Sequence, residues 1–366
     1  MRTYPIGLVP GPVSVPREFR EAYLENFGSA DLEEDFFLLY EENAKLLQRV
    51  LKTENAVTIQ SGEAMSALWG ALKSILLPGD RLLAVSNGVF GRGFAEMAEG
   101  LGVSTVMLEA PEGEFLDAGE IREKALAFRP RMITVVHCET PGGILNPIAV
   151  LGPIAREAEA LLCADVVASA GGADVRTDEW GIDLGLLGSQ KVLSLLPDLS
   201  MVSVSERAWK AMERVQYQGY DALLPWRSGP AGRYLPYTHN WHAMAALNLS
   251  LRRLLEEGLH NSFRRHEDAA RYCRKRLADM NVRLYPARED LCSPTVTAAI
   301  VPPEWAWKKL DGALRKRGLA VGGSYGPLAG KVFRIGHMGS QADADLVRKG
   351  MDVLEEVLGG TGRITS

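Results

Sequence analysis

Short apolar segments alternate with longer amphipathic segments through the first half of the chain. The apolar segments have the length of strands, and the segments between them carry apolar residues at helical spacing. The predicted strands are 57–59, 82–85, 104–108, 132–136 and 161–164, and the predicted helices are 64–77, 94–101, 119–128 and 151–160. This alternation predicts a parallel sheet with helices on both faces, which binds ligands beyond the carboxyl ends of its strands.

The two flanks of this region have different patterns. Residues 10–16 are rich in proline and glycine, which favours an extended segment, and residues 31–51 have helical periodicity. After residue 205 helices dominate. The predicted helices there are 241–258, 260–280, 305–316 and 342–358, and the predicted strands are 295–301 and 332–335. We therefore predict an extended N-terminal segment over 1–16, a large domain over 17–245 and a smaller α+β domain over 246–366.

The composition is that of a globular chain. Of its 366 residues, 46% are hydrophobic and 24% are charged, which excludes a mostly disordered protein. The net charge of -5 gives no attraction to nucleic acid or anionic lipid, and no apolar run reaches the ~18 residues of a membrane span. The four cysteines show no CxxC spacing, so neither a disulfide scaffold nor a metal site is expected. These features predict a soluble cytoplasmic enzyme.

Asp165 and Lys191 are the pair of residues with the most chemical meaning. Each follows an apolar, strand-like segment. Pyridoxal 5′-phosphate (PLP) needs an amine for a Schiff base and a carboxylate that keeps its pyridine nitrogen protonated. A partly desolvated lysine has a lowered pKa and can act as nucleophile and as proton carrier. Taken alone, however, two such residues are more often a surface lysine and a helix cap.

The residues around this pair carry a resemblance to a known family. The segments concerned are Pro10-Gly11-Pro12, His137-Cys138-Glu139-Thr140 with Leu145-Asn146-Pro147, Asp165-Val166-Val167-Ala168-Ser169-Ala170-Gly171-Gly172 with 178–183, Gly188-Ser189-Gln190-Lys191, and Val332-Phe333-Arg334-Ile335-Gly336. With these segments the chain resembles the class V aminotransferases, which are fold type I PLP enzymes, and most closely their alanine–glyoxylate and serine–glyoxylate branch. The resemblance implies an α/β fold, with a mostly parallel mixed sheet between helices in the large domain and a smaller α+β C-terminal domain. It implies Lys191 as the Schiff-base lysine, and Asp165, with Val167 beside it, as the contact to the ring.

The turn Ser61-Gly62-Glu63 is the expected site of the cofactor phosphate. It lies between a predicted strand and a predicted helix, where backbone N–H groups and the helix dipole bind anions. In the family this turn holds the phosphate, and Gln190 is expected to assist. Glu63 departs from the family, which usually has Thr, Ser or His there, and a carboxylate repels a phosphate unless it turns away. Pro141 is a second departure, which loses a cofactor contact or moves it to Thr140.

Further roles follow from the resemblance alone. Phe90, in the segment 87–91, is expected to stack on the pyridine ring. Tyr237 and Thr238 match a segment that reaches the phosphate of the partner subunit, which implies a homodimer with shared active sites. Arg334 is expected to grip the substrate carboxylate through its planar guanidinium, with Gly11 beside the substrate.

Together these expectations describe a PLP-dependent aminotransferase. It would move an amino group from a small amino acid, alanine or serine, to a small 2-oxo acid, glyoxylate or pyruvate. Two alternatives stay open at this point. One is a PLP-dependent lyase or cysteine desulfurase of the same fold, and the other is a non-catalytic binding protein, which Glu63 and Pro141 would favour.

Overall fold

The computed structural model describes residues 3–359 of the chain. Its helices are α1 (Arg17–Glu21), α2 (Glu34–Leu51), α3 (Ala64–Ile75), α4 (Val89–Gly100), α5 (Ala118–Phe128), α6 (Leu151–Glu157), α7 (Glu206–Val215), α8 (Trp241–Glu257), α9 (Leu259–Asp279), α10 (Trp307–Lys316) and α11 (Ala344–Gly359). Its strands are β1 (Ile6–Gly7), β2 (Ala56–Ser61), β3 (Arg81–Ser86), β4 (Ser104–Glu109), β5 (Met132–Val136), β6 (Cys138–Glu139), β7 (Ile144–Leu145), β8 (Leu161–Asp165), β9 (Leu184–Gly188), β10 (Leu199–Val204), β11 (Val296–Ile300), β12 (Leu319–Ala320), β13 (Gly322–Gly323) and β14 (Val332–Gly336).

The large domain is built on a seven-stranded sheet with the order β2-β10-β9-β8-β5-β3-β4. Strand β10 runs antiparallel to both of its neighbours, while the other adjacent pairs are parallel. The predicted α/β fold with a mostly parallel mixed sheet is therefore confirmed. The hydrophobic pattern did not predict β10, whose sequence Leu-Ser-Met-Val-Ser-Val places serines at two positions of a strand that is buried throughout.

Two hydrophobic cores cover the two faces of this sheet. On one face the strands pack against α2, α5, α6 and α8, and on the other against α3, α4 and α7. Within a strand, successive residues alternate between the two cores, as Leu82 and Leu83 of β3 do. Because both faces are covered, the strand ends are the open positions for a ligand.

The small domain combines α9, α10 and α11 with a sheet of order β11-β14-β13. The expected boundary between 245 and 246 falls inside α8. Ala246 and Leu247 are fully buried in the same hydrophobic core as strands of the seven-stranded sheet. We propose that the domains meet at Gly258, between α8 and α9.

The N-terminal segment joins the small domain rather than standing apart. Strand β1 pairs in parallel with β12, and Leu8 is fully buried in the core of the small domain. The backbone N–H of Gly336 donates to the carbonyl of Leu8 at 2.7 Å. Residues 1–2 and 360–366 of the predicted ranges lie outside the described residues. Within residues 3–359, no helix is long and apolar enough to cross a membrane.

Candidate active site

A cavity of about 180 Å³ lies at the carboxyl ends of the parallel strands. Strands β2, β5, β8 and β9 end at this edge of the sheet, and the residues that follow them turn toward the cavity. Its lining includes Cys138 and eight of the site residues predicted from the sequence: Gly11, Glu63, Phe90, Thr140, Asp165, Val167, Gln190 and Lys191. The remaining lining residues are mostly apolar: Pro12, Ala64, Met65, Leu68, Ala168 and Pro197.

Asp165 is the last residue of β8, and its buried side chain lines this cavity. Its Oδ1 atom accepts a hydrogen bond from the backbone N–H of Val167 at 2.8 Å. Burial raises the pKa of this carboxyl to about 6, although the hydrogen bond and the charge of Lys191 act in the opposite direction. A carboxylate that is desolvated in this way gains stability from any cationic N–H donor placed opposite it.

Lys191 follows β9 and reaches into the same cavity. Its Nζ atom donates to the backbone carbonyl of Pro10 at 2.8 Å. Burial, and after it the charge of Arg334, lowers the pKa of this amine. Gly11 is packed so closely that a Cβ atom there would lie 2.6 Å from Nζ, and its φ of +96° also favours glycine. The sequence thus places an amine with a lowered pKa where glycine leaves room for it.

Phe90 is aimed at the cavity by a hydrogen-bonded cap on α4. The buried carboxylate of Glu139 accepts from the backbone N–H groups of Phe90 and Gly91, both at 3.0 Å. Gly88 leaves the space for it, since a Cβ atom there would lie 2.4 Å from Cγ of Glu139. This cap explains why α4 begins at Val89, five residues before its predicted start. Burial raises the pKa of Glu139 to about 7.

We expect Glu139→Ala to lower the free energy of unfolding by about 2 kcal/mol or more, because two buried N–H groups of α4 lose their acceptor. Glu139→Gln keeps an acceptor and should cost less. The pKa of the carboxyl is raised from 4.5 to about 7 in the folded protein, so ionisation destabilises the wild type progressively between these two pH values and by a constant amount above them. Urea titrations at pH 5 and pH 8 test this, and Glu139→Gln should gain on the wild type at pH 8. An alanine variant as stable as wild type would contradict the capping role.

The turn 61–63 lies at the start of α3, where the phosphate was expected, but the side chain of Glu63 caps the helix there. The carboxylate of Glu63 caps the helix by accepting the backbone N–H of Met65 at 2.8 Å. Its other oxygen accepts from the side-chain amide of Gln190 at 2.5 Å. The N–H of Gly62 donates to the carbonyl of Asp198 at 2.9 Å, and Ser61 accepts from the N–H of Asn240.

Arg334 lies in β14, beside the cavity rather than in its lining. The guanidinium is buried, and its Nε and Nη2 atoms donate to the carbonyl of Gly323 at 2.8 and 2.6 Å. It also sits 4.5 Å from the ring centroid of Tyr325. Its charge is one cause of the lowered pKa of Lys191, which places the two cations within electrostatic reach of each other.

Tyr237 and Thr238 do not line the cavity of their own chain. Tyr237 stacks on Tyr220 with 4.2 Å between the ring centroids, and Thr238 is exposed. Their expected contact with the phosphate of a partner subunit needs a second chain, so it stays a prediction.

The expected cofactor fits the ring half of this cavity. Asp165 is a buried carboxylate, and no cationic side chain among residues 3–359 forms a hydrogen bond with it, which leaves it open to a pyridinium. Lys191 offers an amine with a lowered pKa. Phe90 and Val167 would flank the ring, and Ser61, Gly62 and Gln190 would face its phosphate. Among residues 3–359, no group of three or more His, Cys, Asp or Glu side chains could hold a metal ion.

Two important contacts were missed by the sequence interpretation. Glu139 lies 49 residues from the helix that it caps, and the carbonyl of Pro10 lies 181 residues from the amine that it holds. Both residues belong to motifs quoted above, so their presence was seen but their roles were not. A glutamate shortly after the apolar segment 132–136 was the one signal in the sequence for a polar role of Glu139.

Known proteins resemble this chain along nearly its whole length. A family model, Aminotransferase class-V, matches residues 14–333. The L-aspartate–glyoxylate aminotransferase of Paracoccus denitrificans is 33% identical over 97% of this chain and 91% of its own length. The alanine–glyoxylate aminotransferase of Oryctolagus cuniculus is 31% identical over 96% of this chain and 92% of its own. The crystal structure of the pyridoxamine–pyruvate aminotransferase from Mesorhizobium loti has a TM-score of 0.94 and 28% identity, and the match covers 99% of this chain and 94% of that one.

Proposed function

The chain belongs to the class-V aminotransferases, and on that premise we propose that it moves an amino group from alanine or serine to glyoxylate or pyruvate. It is a PLP-dependent transaminase. The observation that carries the proposal is the meeting of Lys191 and Asp165 in one cavity, the amine with a lowered pKa and the carboxyl with a raised one. The names of the relatives favour transamination over the lyase, desulfurase and non-catalytic alternatives.

Each residue of the cavity has one task in this proposal. PLP, when bound, supplies an aldehyde for the amino group and a ring that accepts electrons. Lys191 would take the proton from Cα of the amino acid and return it at C4′ of the cofactor, a role that the lowered pKa of its amine favours. Asp165 holds the proton on the ring nitrogen, and Phe90 fixes the plane of the ring. Arg334 orients the substrate carboxylate.

The lining of the cavity supports a small, uncharged substrate side chain. Met65, Leu68 and Phe90 are apolar, and among the described lining residues Lys191 is the only cation. Glu63 and Asp165 add negative charge, which disfavours a second carboxylate on the substrate. This argues for the donor named in the rabbit enzyme over the one named in the Paracoccus enzyme. Pyridoxamine, named in the Mesorhizobium enzyme, shows that donors among the relatives extend beyond amino acids.

A visible absorption spectrum with added PLP tests the proposal. The wild type should show the band of a Schiff base, and alanine or serine should bleach it to the amine form while aspartate should not. Release of sulfide from cysteine without amino transfer would favour the desulfurase instead. A protein that stays colourless with PLP would overturn the proposal.

We expect Arg334→Lys to raise KM for the amino donor ~10- to 100-fold, because a planar guanidinium gives charged hydrogen bonds that an ammonium does not reproduce. Initial rates at varied alanine concentration measure this. Arg276→Lys is a matched control, since Arg276 also lies in the small domain over a tyrosine ring, 5.6 Å from Tyr272. A KM unchanged in Arg334→Lys would remove Arg334 from the substrate site.

We propose further that the enzyme is a homodimer. Leu32 and Tyr234 are 80% and 60% exposed. They are close in sequence to Glu34 and Arg233, which form an ion pair with each other. Tyr237 and Thr238 follow shortly after Tyr234 in the sequence. A partner subunit bound at this surface would therefore lie close enough for these two residues to reach its phosphate site. The exposed apolar side chains support this surface as the subunit contact.

Substitution of Leu32 and Tyr234 by glutamate should therefore yield monomers. Sedimentation velocity measures the state, and Met107→Glu on the edge strand β4, where the side chain is 37% exposed, is the control. Dimers that survive the double substitution would place the interface elsewhere.

The four cysteines are free, three of them buried, which supports our proposal of a reducing, cytoplasmic compartment.

A further inference from the structure

The backbone N–H groups at the start of α3, which could bind an anion, already donate hydrogen bonds to acceptors of the protein itself. Met65 donates its backbone N–H to the side chain of Glu63, and Ser66 donates its own to the backbone carbonyl of Glu63. Gly62 donates to the carbonyl of Asp198. A helix N-terminus attracts anions through such N–H groups. Here the anion is a carboxylate that the chain itself supplies.

Glu63 also engages the side chain that would assist a phosphate. The amide nitrogen of Gln190 donates to Glu63, and the amide oxygen of Gln190 is buried without a hydrogen-bond partner. Pro141 brings neither a hydroxyl nor an N–H. The charge of Glu63 also acts on Asp165 and Lys191. It adds to the effect of burial, which raises the pKa of Asp165, and it opposes the effects of burial and of Arg334, which lower the pKa of Lys191. A carboxylate therefore stands between the ring site and the helix N-terminus.

From these contacts we propose that Glu63 fills the phosphate subsite, so that the cavity also accepts the unphosphorylated ring, pyridoxal or pyridoxamine, as an exchangeable carrier of the amino group. This deepens the proposed function and rests on it. Asp165, Lys191 and Phe90 would hold the ring in either form, because their hydrogen bonds go to Val167, Pro10 and Glu139 and not to the first turn of α3. The phosphate of PLP would then add little to its affinity over that of pyridoxal, since repulsion by Glu63 offsets the attraction of the helix N-terminus.

The transfer from pyridoxamine to a 2-oxo acid balances without another reactant. The bond between C4′ and the amino nitrogen breaks, and that nitrogen bonds to C2 of the oxo acid. The keto oxygen leaves as water, and a water oxygen becomes the aldehyde oxygen of pyridoxal. Lys191 carries a proton from C4′ to C2. In sum C4′ is oxidised by two electrons and C2 is reduced by two, so the products are pyridoxal and an amino acid.

Equilibrium binding to the full chain, freed of ring compounds by gel filtration, tests the proposal. PLP and pyridoxal are titrated separately, and the Schiff-base absorbance gives each Kd. We expect the wild-type Kd for pyridoxal to lie within ~10-fold of that for PLP, because the repulsion at Glu63 cancels most of the gain from the phosphate. Pyridoxamine and pyruvate should then yield free pyridoxal and alanine over many turnovers.

Glu63→Ser separates charge repulsion from a structural effect. Serine can still cap α3, so the helix keeps its N-terminal hydrogen bond. This variant should bind PLP ~10- to 100-fold more tightly while pyridoxal changes little, because a charge a few ångströms away is removed. Asp117→Ser is the matched control, since Asp117 is the carboxylate that caps α5. It should leave both Kd values unchanged.

Two results would overturn the proposal. One is a wild type that binds PLP more than ~1000-fold tighter than pyridoxal, which would mean that Glu63 does not oppose the phosphate. The other is a Glu63→Ser variant in which both Kd values change equally. In either case alanine would still convert bound PLP to its amine form, which keeps the proposed function intact. If alanine converts neither ring compound, the proposed function has failed, whatever the two Kd values are.

Discussion

Replacing Lys191 with alanine is expected to lower kcat/KM for amino transfer by at least ~10³-fold, because one side chain serves as both nucleophile and proton carrier. The structure gives Lys191 its reactivity through burial and the nearby charge of Arg334, which together lower the pKa of its amine. Removal of the amine leaves the cavity and Asp165 in place. The loss should therefore appear in kcat rather than in stability, and coupled-assay rates together with thermal unfolding measure both.

Lys124→Ala provides the control for this experiment. Lys124 is an exposed lysine on α5, and its removal should change neither rate nor stability. Absorbance gives a second readout, since the Lys191→Ala variant should bind the ring compounds without the band of the Schiff base. A variant that retained a tenth of the wild-type rate would assign the proton transfer to another group.

Asp165→Asn is expected to lower kcat by ~10²- to 10³-fold, the effect of removing one preorganised electrostatic partner from a buried site. The amide has nearly the same shape and can still accept the N–H of Val167, so the geometry of the cavity should persist. Its neutral charge no longer favours a proton on the ring nitrogen. Steady-state rates measure the loss, and a variant with the kcat of wild type would show that the ring nitrogen has a different partner.

The same substitution should make the cofactor-free protein more stable. Burial raises the pKa of Asp165 from 3.8 to about 6, so the folded protein binds its proton more tightly than the unfolded one does. Ionisation therefore opposes folding increasingly as the pH rises from 4 to 6, and fully above that. The shift corresponds to up to about 3 kcal/mol, which Asp165→Asn would regain at pH 8 but not at pH 4. Urea titrations at the two values test this. An asparagine variant less stable at pH 8 would contradict it.

Hydrophobic periodicity predicted most elements of the large domain because each is set by its own residues. The strands β2, β3, β4, β5 and β8 and the helices between them are patterns that a single segment shows, and the structure confirms the α/β fold. Strand β10 escaped prediction because two of its buried residues, Ser200 and Ser203, are polar. Ser203 accepts a hydrogen bond from Gly185 of β9, which a single segment cannot reveal.

The residues of the candidate site were predicted from residue types and family motifs, not from hydrophobic periodicity. Residue types and family motifs named Lys191 and Asp165, and the structure places both on one cavity. The start of α4 was mispredicted since its cap, Glu139, is supplied by a distant strand. The orientation of Glu63 was likewise open, because a lone glutamate can face a phosphate or turn onto its own helix. Three-dimensional contacts with Met65 and Gln190 decide that point.

The N-terminal segment has a consequence for recombining this enzyme with its relatives. Residues 6–9 supply a strand and a core side chain to the small domain, and the next residue, Pro10, supplies the acceptor for the amine of Lys191. Residues 6–10 and the small domain therefore form one structural unit, although the large domain separates them in sequence. A chimera that exchanges the small domain from Leu259 onward should exchange the first ten residues with it. Otherwise β1 of this chain would have to pair with a strand of the relative's small domain to which it is not matched. A shift of β1 would also move the carbonyl of Pro10, which accepts the hydrogen bond from Lys191.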